Sequence, residues 1–196
     1  MQEIADKIIN SIPKKVFGEN SSRPFLIAVD GRCAAGKSTL AAMLGQRLKC
    51  SVFHADDFFL QSHQRTEERL AEPGGNMDRE RLAQEVLKPL CKGENVLYHP
   101  FDCHTMDFSA AVEIPFGKIA VIEGSYCCHH DLWEFYDLHI FLSVSEEEQL
   151  RRIQIRNGAD LVMFRNRWIP LEEKYFGAFG IREKCELVFE TDGRTL

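Results

Sequence analysis

Between Phe25 and Leu48 the sequence reads as an apolar run, a glycine-bounded loop and an amphipathic helix, and this unit restricts the fold more than any other stretch. Phe25-Leu26-Ile27-Ala28-Val29 is apolar throughout, the habit of a strand buried on both faces in a parallel sheet. Gly31-Arg32-Cys33-Ala34-Ala35-Gly36-Lys37-Ser38 then fits G-x-x-x-x-G-K-[ST] in full. Thr39 to Leu48 follows as a helix, with Leu40, Met43, Leu44 and Leu48 on one face. Successive backbone N–H groups of such a loop form a concave nest, and the helix N-terminus behind it adds partial positive charge. The motif therefore predicts a nucleotide-phosphate site cradled by Gly31, Cys33, Ala34, Ala35, Gly36, Lys37, Ser38 and Thr39. Lys37 is expected to reach the outer phosphates of ATP and the Ser38 hydroxyl to ligate Mg²⁺.

The remaining chain alternates in the same way. Ile4, Ile8, Ile9 and Ile12 predict an amphipathic helix that Pro13 ends. Ser51 to His54, Ile119 to Ile122, Leu138 to Leu142 and Glu186 to Thr191 read as short strands, and Glu146 to Arg156 as a charged helix. Asp78 is placed to cap a helix carrying Leu82, Val86, Leu87 and Leu90, while polar Gln61 to Asn76 reads as a mobile loop. The expected fold is α/β, a parallel sheet flanked by helices. At 196 residues the expectation is one domain over 1–196 with a small lid near 151–165.

Lys and Arg number 24 against 30 Asp and Glu, a formal net charge of −6, so no broad field draws the chain to nucleic acid or an anionic membrane. Any anion must be held by a local site. The seven cysteines are odd in number and form no CxxC, and neither a signal-like start nor a long apolar run is evident, so a reduced cytoplasmic protein is expected. Self-association into a homo-oligomer is left open.

A nucleotide site needs chemistry around it. Asn-Lys-x-Asp and Asp-x-x-Gly, which a GTPase would want, do not occur, leaving kinases of small molecules. Such enzymes need a base at the acceptor hydroxyl and cations around the transferring phosphoryl group. Asp56 and Asp57 directly follow the second strand, at the carboxyl edge where open α/β sheets bind ligands, with capping of a turn at Phe58 as the alternative. Glu123 ends the third strand beside the loop and suits Mg²⁺ or its waters, with an ordinary strand-end acid as the alternative. Arg152 and Arg156 share a helix face and could close on phosphates, although Glu148 four residues earlier fits an ordinary ion pair equally well.

Taken together these segments resemble the uridine kinase and phosphoribulokinase group of P-loop kinases over most of the chain. Asp30 to Thr39 resembles that group's P-loop, and His54-Ala55-Asp56-Asp57-Phe58-Phe59 its strand-two signature, which implies that Asp56 is the base for the acceptor hydroxyl. Asn76-Met77-Asp78 is similar to an Asn-aromatic-Asp segment and implies that Asp78 binds ribose hydroxyls; Pro100-Phe101-Asp102 with His104 resembles a segment near the nucleobase. Asp57, Asp78, Phe101, Asp102 and His104 are thus the expected acceptor contacts, and Arg151 to Arg156 the start of the lid. Cys33, Ala34 and Ala35 stand where the group usually has Ser, Gly and Ser, Phe101 lacks a tyrosine hydroxyl, and the lid is shorter. The resemblance implies an ATP- and Mg²⁺-dependent transfer to a nucleoside hydroxyl, uridine foremost. Nicotinamide riboside, pantothenate or a sugar are the alternative acceptors, and a non-catalytic nucleotide-binding module the alternative class.

Three further segments stand out. Cys127-Cys128-His129-His130 lacks the ligand spacing of a zinc site and reads as packing, with His129 or His130 near the acceptor as a second option. Cys33, in a phosphate nest, reads either as a thiolate-favouring residue whose oxidation or alkylation blocks nucleotide binding and which Mg-ATP protects, or as a tolerated replacement of Ser with no role. Trp168 to Phe176 is aromatic-rich and reads as helix packing.

Overall fold

The computed structural model describes residues 1–18 and 22–193. In chain order its strands are β1 (Phe25–Gly31), β2 (Ser51–His54), β3 (Val96–Tyr98), β4 (Phe101–Asp102), β5 (Asp107–Phe108), β6 (Val112–Ile114), β7 (Ile119–Glu123), β8 (Leu138–Ser143) and β9 (Leu187–Glu190). The helices are α1 (Gln2–Ser11), α2 (Lys37–Leu48), α3 (Glu67–Ala71), α4 (Arg79–Leu82), α5 (Lys88–Cys91), α6 (Glu146–Asn157), α7 (Leu161–Met163), α8 (Ile169–Phe179) and α9 (Ile181–Lys184).

Five strands form one parallel sheet in the order β2-β7-β1-β8-β9, so the predicted α/β architecture is observed. The apolar run of β1 is divided between two cores by the two-residue period of a strand. Leu26 and Ala28 join Phe53, Ile122 and Phe141 on one face, covered by Leu82, Val86 and Leu90 of the 79–91 helical stretch and by Tyr175 and Phe176 of α8. Ile27 and Val29 join Val121, Ile140 and Leu142 on the other, covered by Ile4 and Ile8 of α1 and Leu40 and Leu44 of α2. Each such buried side chain stabilises the fold by roughly 1.5–3 kcal/mol.

Two helices contain a wide turn, at Ala83–Leu87 and Phe164–Trp168, and a proline stands just beyond each, Pro89 and Pro170. Proline cannot donate to the carbonyl four residues back, and widening the preceding turn relieves the clash. Gln61 to Asn76 is not the free loop expected. It contains α3, and Arg69 donates to the carbonyls of Gly75 and Met77 while pairing with Glu80. The expected lid start lies within continuous α6, and 158–168 continues as short helical turns. Two small antiparallel pairs, β3–β6 and β4–β5, were not expected from the sequence; at two or three residues per strand they carry no readable alternation. Among the described residues no helix is long and apolar enough to cross a membrane.

The register fixes the working edge of the sheet. Val29 of β1 and His54 of β2 both lie opposite Glu123 of β7, so the segments following these three strands emerge side by side. Gly31 closes β1 opposite Leu142 at φ 131°, where a Cβ would lie 2.0 Å from the Leu142 carbonyl oxygen. Gly31→Ala is therefore expected to destabilise the protein by on the order of 3 kcal/mol, from strain plus overlap. A urea denaturation midpoint equal to that of the wild type would contradict this placement.

Candidate active site

A cavity of about 1260 Å³ opens at the carboxyl edge of the sheet. Its floor is the loop from β1 to α2, where Ala34 (φ 59°) and Gly36 (φ 94°) supply the left-handed turns from which an anion-binding nest is built. Cys33, Ala34, Gly36, Lys37, Ser38 and Thr39 line the cavity; Gly31 and Ala35 support the loop from beneath, with Ala35 fully buried.

Lys37 lies almost wholly inside, its ammonium donating to the carbonyls of Gly31 (2.7 Å) and Arg32 (3.0 Å). Burial works to discharge it, but the carboxylates of Glu172, Asp30 and Asp56 outweigh that and hold its pKa above the ordinary lysine range. Asp30 accepts from the N–H groups of Gly31 (2.7 Å) and Cys128 (3.0 Å) and from the Tyr175 hydroxyl (2.8 Å). Complete burial pushes its pKa up to about 6 against those bonds and Lys37.

The acids expected at the strand ends do converge. Ser38 Oγ donates to Glu123 Oε2 at 3.3 Å, and Asp56 lies in the same cavity wall, inside the tight turn Ala55–Phe58 rather than capping it. Water reaches Asp56, yet it sits deep in a concave surface. That desolvation, with Glu123 and Glu172 nearby, raises its pKa against the pull of Lys37 and His54. His54 Nδ1 stands 2.5 Å from Glu123 Oε1, a partnership that the sequence reading missed. The hydrogen bond to Glu123 raises the His54 pKa, with burial opposing it.

Other expected contacts are engaged elsewhere. Asp57 accepts from the Tyr98 hydroxyl (3.1 Å) and is not in the cavity wall. Asp78 caps α4 by accepting from Arg81 N–H (3.0 Å), its other oxygen accepts from Gln64 (2.9 Å), and it is not in the cavity wall. Phe101 is buried against Phe108, and Asp102 accepts from the His104 N–H within the hairpin; none of the three lines the cavity, whereas their neighbours Cys103 and Met106 do. Arg152 is buried and clamps the floor, donating to Ala34 O, Thr191 O and Glu148, and it also lines the cavity. Arg156 lines the cavity. Neither His129 nor His130 does, and His129 packs between Tyr175 and Phe179. Trp168, read as packing, is in the cavity wall.

Glu172 of α8 was missed. It is buried, accepts from the Cys33 N–H (2.9 Å) and from Ser125 Oγ (2.5 Å), and lines the cavity. A signal existed: Ile169, Glu172, Tyr175, Phe176 and Phe179 follow helical spacing, so the acid falls on the apolar face. The surroundings of Cys33 also run against the expectation of a thiolate there. Burial first, then Glu172, push that thiol up to about 12, away from thiolate.

No protein-family model matches the chain. Solved structures with the same architecture include a possible uridine kinase from Bacillus stearothermophilus (TM-score 0.70, 19% identity, covering 96% of this chain and 98% of that one). A candidate fructose transport system kinase from a Silicibacter species is similar at TM-score 0.70 and 21% identity, covering 95% of this chain and 97% of that one. D-glycerate 3-kinase from Cryptococcus neoformans is similar at TM-score 0.64 and 16% identity, covering 96% and 94%. At these identities the likeness shows the fold alone, an α/β P-loop fold.

Two outcomes follow from this geometry. Iodoacetamide at about pH 8 should label exposed Cys103 and leave Cys33 unlabelled with or without Mg-ATP, by peptide mass spectrometry; labelling of Cys33 that Mg-ATP suppresses would contradict it. In NMR titrations the His54 ring should titrate above the ordinary histidine value of about 6.5 and fall back towards it in Glu123→Gln. Because the folded value is the higher one, the pair's modest stabilisation is complete below the unfolded pKa and is lost as pH rises through the folded one.

Proposed function

We propose that the chain is an ATP-dependent phosphotransferase of the uridine kinase and phosphoribulokinase type, moving the γ-phosphoryl group of ATP to a hydroxyl of a small metabolite. The observation that carries this is the convergence of a phosphate nest, Lys37, the Ser38–Glu123 contact and the Asp56 carboxylate in one cavity. A protein that only holds a nucleotide needs no base for an acceptor hydroxyl beside the nest.

The N–H groups of the loop would hold the β- and γ-phosphates, with Lys37 as the buried countercharge. Ser38 Oγ and Glu123, hard oxygen donors already in contact, fit Mg²⁺, and Asp56 adds a second carboxylate in the same cavity. When bound, Mg²⁺ would supply charge neutralisation on the phosphate oxygens. Asp56 takes the proton of the acceptor hydroxyl as that oxygen bonds to the γ-phosphorus. The bond from phosphorus to the bridging oxygen breaks, and ADP leaves with the electron pair. Desolvation makes Asp56 a stronger base than a free aspartate. Arg152 and Glu172 keep the loop in position from beneath.

Uridine is the acceptor suggested by the motif likeness. Asp78, Phe101, Asp102 and His104, on which a nucleoside reading would depend, are engaged outside the cavity wall, so the proposal commits to a hydroxyl acceptor and not to uridine.

Lys37→Ala should abolish Mg-ATP binding in calorimetric titration. Asp56→Asn should bind Mg-ATP within a few-fold of wild type and lose roughly 100-fold or more in acceptor-dependent ADP release, the usual contribution of a general base. Loss of nucleotide binding in Asp56→Asn would make Asp56 a structural or metal-holding residue, and ADP release indifferent to every acceptor would leave only a nucleotide-binding module.

A further inference from the structure

Beside the main cavity lies a second one of about 360 Å³, and Phe59, Arg65, Asn76 and Trp168 line both. The sheet order assigns this corner a role. Asp56 follows β2 and Glu123 ends β7, on one side of β1, whereas α6 follows β8 on the other. With the phosphate nest at the centre, the reacting hydroxyl belongs on the Asp56 side and the nucleoside half of ATP on the α6 side. Arg65 shares the Asp56 side: Cys103, on the hairpin above, feels the charge of both residues.

The small cavity is lined by three cations, Arg65, Arg167 and Lys174, and by no carboxylate. In a chain of net charge −6 that is a local inversion of sign. Lys174 donates to the Ala71 carbonyl and Arg167 lies over the Trp168 ring, contacts that position both without neutralising either. No carboxylate among the described residues pairs with half-buried Arg65. On the α6 side, by contrast, Arg151 and Arg152 both bond to Glu148. Asn76, shared by the two cavities, is 8% exposed, and its amide nitrogen finds no hydrogen-bond partner among the described residues although the Tyr126 hydroxyl is near. A buried amide and a neighbouring cation of this kind are recognition groups for oxygen, the cation for an oxyanion.

We propose that the phosphoryl acceptor is itself anionic: a hydroxy compound whose carboxylate or phosphate sits among Arg65, Arg167 and Lys174, with Asn76 holding a further oxygen and the reacting hydroxyl directed to Asp56. This rests on the phosphotransfer reading above and narrows its acceptor class. Arg65 is then a specificity-determining residue.

The test is acceptor-dependent ADP release with Mg-ATP across three classes: neutral nucleosides and sugars, hydroxycarboxylates, and sugar monophosphates. Turnover is expected with one of the two anionic classes, and which one identifies the oxyanion. Arg65→Gln should then raise the KM for that acceptor by about 10- to 100-fold, the loss of a charge-assisted contact, with the KM for ATP unchanged and partial recovery in Arg65→Lys. A fall in kcat at unchanged acceptor KM would overturn the assignment, making Arg65 a cation on the transferring group. Turnover of neutral acceptors, equal in wild type and Arg65→Gln, would overturn the inference and leave the phosphotransferase standing. If no class raises turnover although Mg-ATP binds, both fall.

Discussion

A buried ammonium sets the terms for the working edge of this protein. Taking Lys37 out of water costs several kcal/mol unless carboxylates surround it, and here they arrive from distant parts of the chain. Asp30 comes from β1 and Glu172 from α8, and each also binds main-chain N–H groups, Asp30 at Gly31 and Cys128, Glu172 at Cys33. Tyr175 reinforces the knot by donating to Asp30. The phosphate loop, the turn after β7 and helix α8 are thus held in one arrangement by two acids and one base, before any nucleotide is bound.

Topology determines what surrounds that knot. With β1 central and all five strands parallel, every segment leaving a carboxyl end faces the same cavity. The β2–β7 side contributes acids, Asp56 and Glu123, and the corner beyond them contributes Arg65, Arg167 and Lys174. The α6 side contributes arginines, of which Arg152 is tied down to Ala34 and Thr191. Charge is therefore uneven across the cavity, with acids at the ends of β2 and β7 and, on α6, arginines tied to Glu148.

What could be read from the sequence was what is local in sequence. The Gly31–Thr39 loop declares itself because its nest is made by consecutive amides, and the central strands β1, β7 and β8 because each is buried on both faces. Asp56 and Glu123 were legible as acids ending strands, since parallel strands deliver such residues to one edge. Glu172 was not, because it reaches Cys33 across 139 residues of sequence and looks like an ordinary acid on a helix. Asp78 was readable in two ways, as a cap and as a ligand, and the packing shows the cap, with its oxygens accepting from Arg81 and Gln64. The thiol of Cys33 was misjudged because the nest alone favours thiolate, whereas burial first and then the acid beneath it, both products of tertiary packing, do not. Arg65 carries no motif at all; its meaning comes from two cavities meeting beside it.

The central claim is that this edge moves a phosphoryl group onto a carbon-bound hydroxyl. It is tested most directly by incubating the protein with ATP labelled in the γ-phosphoryl group and a deproteinised metabolite extract, then following the label by mass spectrometry. Label is expected in an organic phosphate ester with the wild-type protein and none above background with Asp56→Asn. Label recovered only as inorganic phosphate, at the same rate in both proteins, would contradict it.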